Sequence, residues 1–179
     1  MKVELKANGK TVQVEMTEEQ AKILGLVEER SRTGYERVKK DETYYVIDTE
    51  YNSMSKITEF NDQEDEQCYN AGNYFNDKII AENNARADKL LRCLRQWQAQ
   101  NDKPISMSDW KNDNISKYYV DYDCFHELFF VTYAVRRRSL NNIYFTSDEK
   151  AKEAIEVFRD ELLWYFTEYQ QRLDEEQGE

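Results

Sequence analysis

The chain has 179 residues, enough for one domain of good size with a small appendage. With 40% hydrophobic and 13% aromatic residues and a single proline, its composition is that of a packed globular protein rather than a disordered one. A formal net charge of -11 repels phosphate backbones, so direct nucleic-acid binding is disfavoured, and a basic protein surface is the partner such a field would attract.

No apolar run approaches the roughly 18–20 residues that cross a bilayer. The start, Met1-Lys2-Val3-Glu4-Leu5-Lys6, lacks the apolar core of a secretory signal. No membrane association and a cytoplasmic location are therefore expected. Cys68, Cys93 and Cys124 are odd in number and widely spaced, so they read as reduced thiols and not as a disulfide framework or a metal knuckle. The lone His126 has no Cys or His neighbour to make a cluster. Glycine-rich phosphate loops, GxSxG elbows, HExxH helices and zinc spacings are all missing. The sequence thus names no catalytic residue, no metal ligand and no cofactor, and a non-enzymatic protein is expected.

In chain order, residues 2–14 alternate as two strands, Val3 and Leu5 on the first and Val12 and Val14 on the second, with Asn8-Gly9 between them as a hairpin turn. Thr17-Glu18-Glu19-Gln20 is a capping-box pattern, and Ala21, Ile23, Leu24 and Val27 give a short helix its apolar face. Residues 1–33 form an N-terminal hairpin-helix appendage, and the polar stretch 34–43 reads as a connector. Strands follow at Tyr44–Ile47 and Ser55–Phe60. Asn61 to Gln67 reads as an acidic solvated loop. Gly72-Asn73-Tyr74-Phe75 is a third strand with Asn76 as helix cap, and Ile80, Ala87, Leu91, Leu94 and Trp97 recur at helical spacing. Asn101–Lys117 is a polar linker anchored by Trp110. The second half opens at Tyr118–Tyr122. Phe125–Val135, apolar on both faces, is expected as a central strand, and Arg136-Arg137-Arg138 closes it. Ile143-Tyr144-Phe145 is the last strand. Thr146 and Glu149 form a capping box, and Ala151, Ile155, Phe158, Leu162, Tyr165 and Tyr169 mark the buried face of the last helix. Residues 174–179 are an acidic tail.

The two halves, 44–98 and 118–172, share a plan within a core of 44–173. Tyr74-Phe75 matches Tyr144-Phe145, Ala81 matches Ala151 six residues past the phenylalanine, and Tyr44-Tyr45-Val46 corresponds to Tyr118-Tyr119-Val120. Each half reads strand, strand, strand, helix. The expected fold class is α+β: a mainly antiparallel sheet built from two β-β-β-α units with two long helices, plus the N-terminal hairpin-helix.

The capped hairpin start, Tyr44-Tyr45-Val46-Ile47, Gly72-Asn73-Tyr74-Phe75 and Ile143-Tyr144-Phe145-Thr146-Ser147 together resemble uncharacterised accessory proteins of phages and prophages of Gram-positive bacteria. The resemblance covers most of the chain, but it rests on packing and capping motifs and brings no site residue with it. It implies an accessory protein acting in a bacterial cytoplasm, with an acidic inhibitor of a defence nuclease as one such role.

Two clusters are candidates for a partner surface. Asp62, Glu64, Asp65 and Glu66 read either as a solvated loop tip or as an acidic docking patch. Arg136, Arg137 and Arg138 read either as a strand end that neutralises nearby acids or as a grip on phosphate or an acidic peptide. The 13 tyrosines suit half-buried sheet faces, or an interface. Protein–protein binding is the leading expectation. An enzyme with an acidic cleft and a nucleic-acid binder using Arg136–Arg138 stand as alternatives.

Overall fold

The computed structural model describes residues 2–7, 10–15, 17, 20, 32–50 and 53–175. The chain divides after Thr33 into two units. In the first, β1 (Lys2–Ala7) and β2 (Lys10–Glu15) pair antiparallel, with Val3 opposite Val14, Leu5 opposite Val12 and Ala7 opposite Lys10. Asn8 and Gly9, read as the turn, lie outside the described residues. The Gln20 amide donates to Thr17 Oγ1 at 3.2 Å and the Thr17 amide donates to Gln20 Oε1 at 3.0 Å, the reciprocal bonds of a capping box. Residues 21–31, to which the apolar helix face was assigned, also lie outside the described residues.

The second unit is α+β. Its elements are β3 (Thr43–Asp48), β4 (Ser53–Thr58), α1 (Gln63–Asn70), α2 (Lys78–Asn101), the single turn α3 (Met107–Trp110), β5 (Lys117–Asp123), β6 (Leu128–Ala134) and α4 (Asp148–Thr167). The strands do not merge into the common sheet expected from the sequence: β3–β4 and β5–β6 are separate antiparallel hairpins among the described residues. The third strand of each half contracts to one bridge. Phe75 exchanges both main-chain hydrogen bonds with Tyr45 (2.7 and 3.0 Å), and Phe145 does the same with Tyr118 (2.9 and 2.7 Å). The contraction has a local cause, since a helix cap follows two residues after each phenylalanine and turns the chain away from the hairpin.

These bridges correct two details of the repeat. Tyr45 is the counterpart of Tyr118, so Tyr44 is matched by Lys117, one residue away from the alignment read in the sequence. The caps also sit one residue later than expected. Asp77 Oδ1 accepts from the amides of Ile79 and Ile80, and Ser147 Oγ accepts from the amide of Lys150. Asn76 instead donates its side-chain amide to the Glu36 carbonyl, and Thr146 donates its hydroxyl to Asp102 as well as its main-chain amide at 2.7 Å, so both side chains serve the preceding chain rather than the helix.

Each helix lies down on its hairpin through an alanine. Ala81 and Ala151 are fully buried, which lets the first turns of α2 and α4 approach the aromatic bridge closely. The larger core joins Leu90 and Leu94 of α2 to Phe145, Ala151, Ala154, Ile155 and Leu162, with Val120 and Val131 of the second hairpin packed against them. The smaller one joins Phe75, Ile80 and Ala81 to Tyr35, Tyr45, Ile47 and Met54. Burial of each large apolar side chain contributes about 1.5–3 kcal/mol, so these clusters dominate the stability of the unit. The connector belongs to this packing. Gly34 adopts φ +97°, and a Cβ there would meet Ile80 Cγ1 at 2.9 Å, so glycine is required on both counts.

The expected central strand Phe125–Val135 is shorter and lies at an edge. Asp123 Oδ1 accepts from the amides of Phe125 and His126 at 2.9 and 3.0 Å, and Glu127 turns at φ +53°, so pairing restarts only at Leu128. Phe125 is left 89% exposed.

Candidate functional site: the arginine–tyrosine end of the second hairpin

The main-chain direction of β6 follows from the bridge on the far side of β5. Tyr118 points its N–H and C=O at Phe145, so those of its β6 partner Tyr133 point the other way, outward. Alternation then turns Phe129 and Val131 outward as well, while Phe130 and Thr132 face β5. Among the described residues no strand pairs with this outer edge. Tyr133 is 60% exposed, and Leu128 and Phe130 are also exposed. The result is a seven-residue edge that no described strand covers, with aromatic side chains along it.

The edge runs into the arginine run, and a buried cation fixes how it does so. Lys117 is fully buried and donates Nζ hydrogen bonds to the carbonyls of Ile115 and Val135, both at 2.7 Å. Its ammonium also lies 5.0 Å from the Trp110 ring centre. Trp110, expected to anchor the linker, is buried and meets Tyr144 edge-on at 4.9 Å. Tyr144 in turn accepts a hydrogen bond from the Ser139 amide at 2.9 Å. The chain on either side of Arg136–Arg138 is thereby pinned to the core.

The three arginines have different tasks. Arg136 makes a bidentate pair with Asp113, and that hydrogen bond holds the Asp113 carboxyl below the usual carboxylate range. Arg138 stacks its guanidinium 5.5 Å from the Trp110 ring centre. Arg137 is exposed and makes no ion pair among the described residues. It borders an open recess of about 560 Å³ shared with Tyr119, Tyr133 and Tyr144. Arginine and tyrosine side chains over a pinned backbone have the composition of an interface hot spot.

The acidic run is placed elsewhere and does local work. Residues 63–70 form α1 instead of the solvated loop expected, because Asp62 caps the helix and the Asp65 side chain reaches back to the Asp62 amide at 3.2 Å. Asp62 Oδ1 accepts from the amides of Glu64 and Asp65. Glu66 pairs with Arg37 and accepts from Asn70. Glu64 is exposed. Asp65 is 2% exposed and accepts from the Tyr44 hydroxyl and the Phe60 amide, both at 2.7 Å. Burial alone would raise its carboxyl, but the Tyr44 hydroxyl and these amides outweigh that and hold it below its ordinary value. Beside it Glu59, fully buried, accepts from Tyr74 at 2.6 Å and from Arg37 at 3.1 Å. Tyr44 and Tyr74 stack at 4.0 Å above this pair, and burial next to the carboxylates pushes both phenols up.

The structure thus keeps the two predicted clusters apart in role: the acids organise the first half, and Arg136 and Arg137 edge a recess in the second while Arg138 lies over Trp110. Tyr133, Tyr119 and Asp113 belong to that recess, and the sequence marks none of them as a site residue, Tyr119 standing out only in the repeat. Alternation in β6 could have flagged Tyr133, whereas the pairing of Asp113 with Arg136 spans 23 residues and leaves no sequence signal. Among the described residues no group of three or more His, Cys, Asp or Glu side chains converges as metal ligands would, and no helix is long and apolar enough to cross a membrane. Comparison with protein-family models, with curated proteins and with solved structures finds no match to this chain.

Proposed function

We propose that the chain acts by binding another protein along the outer edge of β6 and its arginine–tyrosine end. The observation that carries the reading is the edge that no described strand covers, where outward N–H and C=O groups of Phe129, Val131 and Tyr133 lead straight to the exposed Arg137. An extended segment of a partner would add to β6 as a further strand, with main-chain bonds supplying affinity and Tyr133 and Arg137 supplying selectivity. The net charge of -11 favours approach to a basic or nucleic-acid-handling protein. The resemblance to phage and prophage accessory proteins fits such a role in a bacterial cytoplasm, with inhibition of a defence nuclease as its particular form.

A photo-crosslinking side chain placed at Tyr133, in the full chain expressed in a Gram-positive host, should capture one protein that Arg137→Glu releases. The same side chain at Lys40, outside the recess, should not capture it. Equal capture from both positions, or capture indifferent to Arg137→Glu, would refute the assignment. If the reading as a nucleic-acid binder were right instead, the chain would shift DNA or RNA at low salt and Arg137→Glu would reduce that shift.

A further inference from the structure

A further recess of about 700 Å³ lies elsewhere in the second unit, over α2 between the start of β4 and the middle of α4. Its floor is apolar, formed by Met54, Leu90, Cys93 and Phe158. Its rim carries Lys78, Arg86 and Lys89 against Glu82 and Glu161, three cations to two anions in a protein of net charge -11. Both rim acids already have partners, since Lys78 pairs with Glu82 at 3.0 Å and Arg86 with Glu161 at 2.8 Å. Arg86 is held further by the Trp164 ring, 4.0 Å below its guanidinium. Lys89 is left as the rim cation with no ion pair among the described residues.

A second observation falls at the same place. At Phe158, which faces this recess, α4 leaves helical geometry (φ -114°, ψ 18°) with no proline to cause it. Breaks of this kind inside helices are frequent at functional sites. An apolar floor, a helix bent beside it and one uncommitted cation define a ligand by complementarity. Such a molecule has an apolar body to cover Met54, Leu90 and Phe158, and a single negative head to meet Lys89. A volume of about 700 Å³ lies within the usual range of roughly 300–1,000 Å³ for small-molecule sites.

We infer that this recess is a binding site for a small anionic amphiphile, a molecule with an apolar body and one carboxylate or sulfonate, seated over α2 with its head at Lys89. The inference is independent of the protein-binding face on β6.

The test uses 1-anilinonaphthalene-8-sulfonate on the full chain, with decanoate as competitor and decyltrimethylammonium as the control of opposite charge. Saturable fluorescence should be displaced by decanoate and not by the cation. Saturating decanoate should slow alkylation of Cys93 by iodoacetamide, read by mass spectrometry, while exposed Cys124 serves as the internal reference and keeps its rate. Lys89→Glu, at an exposed position that leaves folding intact, should weaken binding roughly tenfold, and Lys89→Arg should restore it. Absence of saturable binding, displacement by both detergents alike, an unprotected Cys93, or undiminished binding by Lys89→Glu would each overturn the assignment.

Discussion

Phe145 offers the sharpest test of how the second half is held together. It is 1% exposed, touches the Leu90, Leu94, Ala151 and Ile155 cluster and meets Trp97 edge-on at 6.0 Å. Its bridge to Tyr118 is made by main-chain atoms, so Phe145→Ala leaves those bonds in place and removes only the ring. Loss of about 150 Å² of buried apolar surface at about 25 cal/mol per Å² comes to nearly 4 kcal/mol, to which the cavity left between two helices adds. The expected cost is therefore about 4–5 kcal/mol, against about 1–2 kcal/mol for Phe145→Leu, which keeps most of the buried apolar volume. Phe125→Ala, at an 89% exposed ring, should stay within about 0.5 kcal/mol of the parent. Urea denaturation followed by tryptophan fluorescence, with unchanged slopes, measures all three. A Phe145→Ala variant within about 1 kcal/mol of the parent, or a Phe125→Ala variant as damaged as Phe145→Ala, would refute the packing described above.

Three further outcomes follow from the same geometry. Gly34→Ala puts a Cβ against Ile80 in a left-handed backbone and should cost about 1–3 kcal/mol in the same denaturation experiment. Ser147→Ala removes the acceptor for the Lys150 amide and should cost about 1 kcal/mol, more than Thr146→Ala does through its helix, because Thr146 is not the cap. The Asp65 carboxyl sits below its ordinary value of 3.8 in the folded protein, so between the two values the unfolded chain binds the extra proton. Its contribution is present in full above that ordinary value and is lost as pH falls through the folded one. Asp65→Asn should accordingly flatten the acid side of the stability profile.

How much of this was legible in the sequence depends on which force shaped each segment. Hydrophobic period and capping chemistry are local, so α2 and α4, the paired strands of each half and the buried Ala81 and Ala151 are legible directly, whereas the third strands expected at Tyr74-Phe75 and Tyr144-Phe145 shrink to single bridges. The caps are ambiguous by one residue in the sequence because Asn76 and Thr146 are as good as Asp77 and Ser147 in composition. Only their contacts with Glu36 and Asp102, far away in the chain, decide the matter. The helix α1 is hidden in the sequence because Gln63–Asn70 has no apolar stripe, and its order comes from Asp65 reaching into the core beside Tyr44. Phe125–Val135 looked central because both faces are apolar. Sequence periodicity cannot tell a strand buried on both faces from an edge strand with exposed aromatics, and the turn set by Asp123 and Glu127 was hidden within the run. At the candidate site Arg136–Arg138 was visible as a charge run, but its division of labour was not. Which arginine stays free depends on Asp113 and Trp110, and nothing in their spacing announces it.

Amide hydrogen exchange along β6 in the isolated protein bears most directly on the proposed binding edge. The amides of Phe130 and Thr132 face β5 and should exchange slowly, while those of Phe129, Val131 and Tyr133 should exchange fast and become protected when the partner is added. A Val131 amide as slow as its neighbours before any partner is present would mean that the edge is already covered, and would contradict the account.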